Sequence, residues 1–217
     1  MSEAKPSELS GSTEHGGELV KLRRGTRSRA TRETTIDVAV TLDGSGRSDV
    51  VTGIPFFDHM LDQLARHGGF DLVVKAVGDL AVDTHHTIED TGISLGHAFA
   101  DALGDKAGVR RFASVRVPLD EALTDVVVDL SGRPYLHYEV DCPLDPVIWG
   151  TPPFDAQLTE EFLRAFITAA GITMHVTLVR GRNTHHIVEA TFKGVARALR
   201  DAVRVEGGAV PSTKGVL

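Results

Sequence analysis

Apolar and polar positions along this chain change period several times, and the changes mark out elements. Between Arg32 and Leu42 the side chains alternate, with Ile36, Val38, Val40 and Leu42 on one face, which predicts a half-buried strand. Asp43-Gly44-Ser45-Gly46 reads as a turn and Ser48 to Thr52 as a returning strand, so a hairpin is expected. From Phe56 to His67 the period becomes helical: Phe57, Met60, Leu61 and Leu64 recur on one stripe, and Gly68-Gly69 supplies a C-cap. Phe70 to Val77 then predicts a strand, Gly78-Asp79 a turn, and His85 to Leu103 a helix. The first half therefore reads β-β-α-β-α.

The order then recurs. Phe112 to Val117 predicts a strand between the halves, and Asp125 to Leu130 with Tyr135 to Val140 a hairpin across Ser131-Gly132-Arg133-Pro134. The stretch from Cys142 to Pro153 is irregular and proline-marked, hence a loop. A helix from about Asp155 to Ala169 presents Phe162, Phe166 and Ile167 and stops at Gly171. A strand over Ile172 to Val179, a turn at Arg180-Gly181-Arg182-Asn183 and a helix from His185 to about Val203 complete the set. Residues 84–103 and 184–203 also share Thr91/Thr191, Ala98/Ala198, Asp101/Asp201 and Ala102/Ala202, the signature of an internal duplication. The expected fold is α+β: two ββαβα-type halves, 26–108 and 109–206, preceded by a flexible arm over 1–25 and followed by a tail over 207–217.

The duplication repeats chemistry as well as pattern. Thr84-His85-His86-Thr87-Ile88-Glu89 is echoed 100 positions later by Thr184-His185-His186-Ile187-Val188-Glu189. On a helix Glu89 lies one turn from both His85 and His86, which puts imidazole and carboxylate on one face. Adjacent histidines diverge by about 100° on a helix of roughly 3.6 residues per turn, so each is expected to serve a different centre. Imidazole with carboxylate is the donor set of zinc, manganese or iron. Three donors fall short of the six an octahedral ion takes, and the preceding helix in each half is the expected source of more. His59 is the candidate in the first half and Glu161, displaced by 102 positions, in the second. Divergent histidines also fit metals bound between subunits, which would couple metal binding to assembly.

Composition narrows the setting. A chain of 217 residues with a net charge of −7 can bury a full core and does not suit general nucleic-acid binding, despite the basic run Lys21, Arg23, Arg24, Arg27, Arg29, Arg32, which reads as a solvated strand or arm. A lone cysteine, Cys142, excludes a disulfide framework and fits a reducing, cytoplasmic compartment. No apolar run reaches the roughly 20 residues of a membrane span, and the N-terminal stretch lacks the apolar region of a secretory signal. His15, His97, His137 and His175 read as packing or surface residues, and Cys142 and Trp149 as structural.

Several segments together match one family. Arg32-Glu33-Thr34, Phe57-Asp58-His59-Met60-Leu61-Asp62-Gln63-Leu64, Asp83-Thr84-His85-His86-Thr87-Ile88-Glu89-Asp90, Gly132-Arg133-Pro134, Gly181-Arg182-Asn183-Thr184-His185-His186, Glu189-Ala190-Thr191-Phe192-Lys193 and Pro211-Ser212-Thr213-Lys214 span about residues 27 to 217. On these the chain resembles imidazoleglycerol-phosphate dehydratase, the monofunctional lyase of histidine biosynthesis. The resemblance implies helices packed between mixed four-stranded sheets, two Mn2+ per subunit at interfaces, and a shell of 24 subunits built from trimers. It implies metal ligands His59, His85, His86, Glu89, Glu161, His185, His186 and Glu189; many members carry histidine where Glu161 stands. It implies substrate contacts from Glu33, from the run His59, Met60, Leu61, Asp62, Gln63, Leu64, Ala65, Arg66 and His67, and from Arg111, Arg133, Lys193, Ser212, Thr213 and Lys214, with the basic and hydroxyl groups on the phosphate. Catalytic roles fall to Glu33, Glu89 and Glu189. Glu33 is the candidate proton acceptor in a dehydration that proceeds through the imidazolate form of the ring. The alternative is another dinuclear-metal lyase or hydrolase acting on a phosphorylated small molecule.

Overall fold

The computed structural model describes residues 22–215 and 217; most of the expected arm, with Lys21 and His15, lies outside them. The first half comprises β1 (Arg24–Ala30), β2 (Thr34–Thr41), β3 (Ser48–Val51), α1 (Pro55–Gly68), β4 (Asp71–Gly78) and α2 (His85–Leu103). The second comprises β5 (Phe112–Leu119), β6 (Ala122–Asp129), β7 (Tyr135–Glu139), β8 (Val147–Ile148), β9 (Phe154–Asp155), α3 (Gln157–Ala170), β10 (Thr173–Arg180) and α4 (Thr184–Ala202). Two four-stranded sheets result, ordered β1-β2-β4-β3 and β5-β6-β10-β7. The orders are the same once β5, β6, β7 and β10 replace β1, β2, β3 and β4.

Both expected hairpins are overturned. β3 pairs in parallel with β4, and β7 in parallel with β10, while β2 and β6 lie between antiparallel neighbours. The reason is the helix that follows each short strand. β3-α1-β4 and β7-α3-β10 are parallel crossovers, which need a long connection and leave the preceding turn without a partner strand. β2 has no free edge for β3, because the basic run forms β1 and occupies it. Of the two forms expected for the basic run, strand or arm, the structure has the strand. Phe112–Leu119 is likewise the edge strand of the second sheet rather than a bridge between halves. The expected loop over 142–153 contains β8, which pairs with β9.

Offsets between the halves track this history. Thr34 and Ala122 open equivalent strands 88 positions apart, whereas α1 and α3 begin 102 apart, at Pro55 and Gln157. The added length is the β8–β9 ribbon. Helix ends agree with the shift: Gly69 and Gly171, again 102 apart, both adopt left-handed φ, 70° and 66°, which favours glycine.

The helices lie between the sheets. α2 packs on β1, β2 and β4 and α4 on β5 and β6, while α1 packs on α4 and α3 on α2. Each half thus lends its first helix to the other half's second. Phe57–Phe162, Phe162–Phe192 and Phe99–Phe166 meet at centroid distances of 5.3, 5.5 and 5.4 Å, so aromatic rings from all four helices join one core. Where α2 crosses β1, Gly25 lets it close in; a Cβ there would sit 1.8 Å from the Ala98 carbonyl oxygen. Cys142 is half-buried against this core, but Trp149, expected to be structural, is 78% exposed and donates its Nε1–H to Asp145. Among the described residues no helix is long and apolar enough to cross a membrane.

Candidate metal centre and active site

Each hexad sits at a helix N-terminus held by a short polar side chain. Asp83 Oδ1 accepts the His85 N–H at 2.8 Å, and Asn183, 100 positions on, accepts the His186 N–H at 3.3 Å. Asn183 is the N-cap of α4, whereas Asp83 precedes Thr84, the N-cap of α2; both side chains pin the first turn from which the histidines project. The rings of His85 and His86 lie 6.2 Å apart with their planes at 89°, and those of His185 and His186 6.2 Å apart with their planes at 87°, so neighbouring rings are not parallel in either hexad.

In the second hexad, His185 Nε2 lies 3.0 Å and His59 Nε2 3.4 Å from Glu189 Oε2. His59, His185 and Glu189 are the only group among the described residues whose ligand atoms gather within 4.8 Å in this way. Donors at right angles on an ion with bonds of about 2.1 Å lie about 3 Å apart, so the set fits a divalent cation. The remaining carboxylate oxygen, Oε1, takes a hydrogen bond from Lys193 Nζ at 2.6 Å. Burial pushes the Glu189 carboxyl up, but Lys193, then His185 and His59, more than offset it and hold it below the usual carboxylate range. It stays an anion.

This placement corrects one expectation. His59 was assigned to the first hexad and Glu161 to the second; instead His59 joins the second, because α1 packs on α4. Glu161 holds the equivalent place on α3, which packs on α2, and is half-buried. In the first hexad His85 Nε2 and Glu89 Oε2 stand 3.9 Å apart, wider than their counterparts. His85 opens on a cleft of about 460 Å³ whose wall includes Val147, Asp155 and Gln157 at the start of α3.

The outer histidines meet carboxylates. His86 Nδ1 lies 3.0 Å from Asp79 Oδ2 and 3.9 Å from Glu33 Oε2. His186 Nδ1 lies 2.7 Å from Glu121 Oε2, and Glu121 also accepts the backbone N–H of Asn183 at 2.8 Å and of Arg182 at 3.2 Å. These contacts, with the His186 hydrogen bond the largest, bring the Glu121 carboxyl down to about 2. The Asp79 hydrogen bond raises the His86 imidazole.

Of the run from His59 to His67, Met60, Leu61, Leu64 and Ala65 are buried in the core, which leaves His59, Asp62, Gln63, Arg66 and His67 on the open side of α1. His67 Nε2–H donates to Gln63 Oε1, 3.1 Å away, and burial followed by the Lys193 and Arg197 charges holds its imidazole below the ordinary value. Arg111, Arg133, Ser212, Thr213 and Lys214 line one cleft of about 520 Å³. Arg111 is seated there by Asp129, which accepts at 2.7 and 3.1 Å, and donates to the Pro211 carbonyl at 2.7 Å, so it ties the tail to β6. Lys193 does not line this cleft; it belongs to the Glu189 cluster.

Asp79, Glu121 and Lys106 were missed from sequence. Lys106 is 8% exposed, its amine held low by burial, and Gly132 lies beside its Nζ. Nothing in the pattern marks it. Glu121 had a signal, because the 88-position offset of β2 and β6 makes it the counterpart of Glu33.

A family model for imidazoleglycerol-phosphate dehydratase matches residues 52–199. The imidazoleglycerol-phosphate dehydratase of Gluconacetobacter diazotrophicus is 56% identical over 198 residues, covering 90% of this chain and 98% of the relative. That of Acidothermus cellulolyticus is 55% identical over 197 residues, covering 90% and 93%. The crystal structure of the Staphylococcus aureus enzyme superposes with a TM-score of 0.74 at 37% identity, over 84% of this chain and 99% of that one. The structure of IGPD from Pyrococcus furiosus in complex with (S)-C348 gives 0.75 at 37%, over 88% and 100%. With the family model covering most of the chain and relatives matched nearly end to end, the chain belongs to the imidazoleglycerol-phosphate dehydratase family.

Proposed function

We propose that this chain catalyses dehydration of imidazoleglycerol phosphate to imidazole acetol phosphate with two Mn2+ per subunit, in a cytoplasmic shell of 24 subunits built from trimers. The convergence of His59 Nε2, His185 Nε2 and Glu189 Oε2 carries the reading. Three donors leave an octahedral ion incomplete, and the outer rings lie 6.2 Å from the inner ones with carboxylate partners of their own, so His86 and His186 serve ions shared with other copies of the chain. His85, Glu89 and Glu161 would form the second, looser set. Exposed Val77, Phe112, Tyr135 and Trp149, 55–78% accessible in the single chain, offer apolar surface for such assembly.

A bound divalent ion supplies Lewis acidity at the azole nitrogens of the substrate. The chain's residues do the rest. Arg111, Arg133, Ser212 and Lys214 hold the phosphate dianion through charge-assisted hydrogen bonds, and the 207–217 tail places the last two over it. Anchoring the phosphate fixes how far the glycerol carbons reach toward the hexads. Lys193 keeps Glu189 ionised and occupies one of its oxygens, so the other faces His59 and His185. Glu33 is exposed at the mouth of β2 with its carboxylate outside hydrogen-bond range of His86, free to take the carbon-bound proton as the hydroxyl beside the ring departs.

The test is loss of imidazoleglycerol phosphate by the full chain, with Mn2+ and after chelation, alongside Glu33→Gln. The expected result is activity that chelation abolishes and that the variant lowers by orders of magnitude at unchanged metal content. Undiminished turnover by metal-free protein would overturn the reading, and near-normal turnover of the variant would remove Glu33 from the mechanism.

A further inference from the structure

The outer histidine of each hexad is held by one carboxylate, and the two carboxylates come from different places in the repeat. Asp79 follows β4; its counterpart, 102 positions on along β10, is Gly181. Glu121 precedes β6; its counterpart, 88 positions earlier, is Glu33. A side chain at Gly181 has no room, since a Cβ there would sit 2.7 Å from Ile187 Cγ1. The second half therefore has no equivalent of Asp79 and uses Glu121 on His186, at 2.7 Å. The first half has Asp79 on His86, at 3.0 Å, and its glutamate, Glu33, stands off at 3.9 Å, beyond a hydrogen bond.

We propose that Asp79 and Glu121 are positioning residues for metal binding, and that Asp79, by taking the role Glu121 keeps in the other half, frees Glu33 for substrate. An ionised carboxylate only accepts, so the proton of each imidazole is fixed on Nδ1 and the lone pair on Nε2, the form that ligates a cation. Asp120 Oδ2 is 3.7 Å from His186 Nε2, too far to compete for the ring. Glu121 is itself locked by the Asn183 and Arg182 N–H groups, so the His186 ring has one orientation. The inference rests on the metal reading above.

Mn2+ binding to the full chain, followed by equilibrium dialysis with the free-ion spin-resonance signal as readout, tests it in Asp79→Ala, Asp79→Asn, Glu121→Ala and Glu33→Gln. The alanine variants are expected to weaken Mn2+ binding about 10–100-fold while the metal-free protein melts as the parent does. Asp79→Asn, which retains a carbonyl acceptor for Nδ1–H, is expected to recover most of the affinity, and Glu33→Gln to bind as the parent. Parental affinity in both alanine variants would overturn the proposal. So would a Glu33→Gln variant as weak as Asp79→Ala, since Glu33 would then be the partner of His86. A parent chain that binds no Mn2+ would instead remove the metal reading and this inference with it.

Discussion

Replacing Gly96 by alanine tests how tightly the α2–α3 contact is set. In an open helix the change favours folding by about 1 kcal/mol. Here the new Cβ would lie 2.4 Å from the Phe166 carbonyl oxygen and 2.7 Å from Ala169 Cβ. The first is backbone and the second sits on it, so neither can swing aside. An ordinary carbon–oxygen contact of about 3.4 Å requires α3 to retreat by roughly 1 Å, and a gap of that size forfeits a quarter to a half of each dispersion contact. Phe166 packs on Phe99 at 5.4 Å, so the core across this contact opens too. Overpacking of this kind costs up to about 3 kcal/mol, which leaves a net loss of about 2 kcal/mol after the helix gain. For a chain of 217 residues that lowers Tm by about 4–8 °C. Calorimetry and urea unfolding read it directly, with Gly207→Ala as control, because a Cβ at Gly207 meets nothing within 4 Å. A Gly96→Ala protein as stable as the parent, or more so, would refute the reasoning. Because α2 carries Glu89 and α3 carries Glu161, the two-metal proposal adds that the variant would lose metal at that set first.

Asp90 is 6% exposed and accepts from Thr34 Oγ1 and from Arg29 Nη1 at 3.1 Å, so Asp90→Ala strands the buried Thr34 hydroxyl and leaves the partly exposed Arg29 guanidinium to water, and is expected to cost about 1–3 kcal/mol in chemical denaturation. Asp71 accepts from the N–H groups of Ser45 and Arg47 and from both their side chains, which outweigh burial and lower its carboxyl from 3.8 to about 2. A lowered folded-state value means stability that is full above 3.8 and is lost as pH falls toward about 2; after solvent screening it is about 1 kcal/mol, and Asp71→Asn is expected to flatten that acid limb of a stability–pH curve. Chelator treatment is expected to shift the sedimenting mass of the assembly downward, and an unchanged distribution would separate metal from assembly.

The strands and helices were legible where one periodicity ruled. The stripe Phe57, Met60, Leu61, Leu64 and the glycine ends at Gly69 and Gly171 predicted α1 and α3 closely. The pairing of β3 and β7 was not legible, because local turn chemistry at Asp43-Gly44 and Gly132-Arg133 is the same whether the next strand turns back or crosses over. Only the helix after each strand decides, and that is a long-range fact. The hexads were visible as an imidazole–carboxylate repeat, but their partners were not. His59 was linked to the wrong hexad because sequence offset measures descent, whereas contact is set by α1 packing across the duplication.

That exchange has a consequence for how the site is kept intact. The clustered ligands come from α1 of the first half and α4 of the second, so a half unfolded alone leaves no complete set. A cation bound at His59, His185 and Glu189 would therefore tie the two halves together, in addition to the shared core of Phe57, Phe162 and Phe192. The carboxylate holding His186, by contrast, precedes β6 of its own half, and the one holding His86 follows β4 of its own half. Inner histidines report on packing between halves; outer histidines report on each half by itself. A lesion in the α1–α4 contact should then loosen the inner set while the geometry at His186 survives, and a lesion at Glu121 should do the reverse.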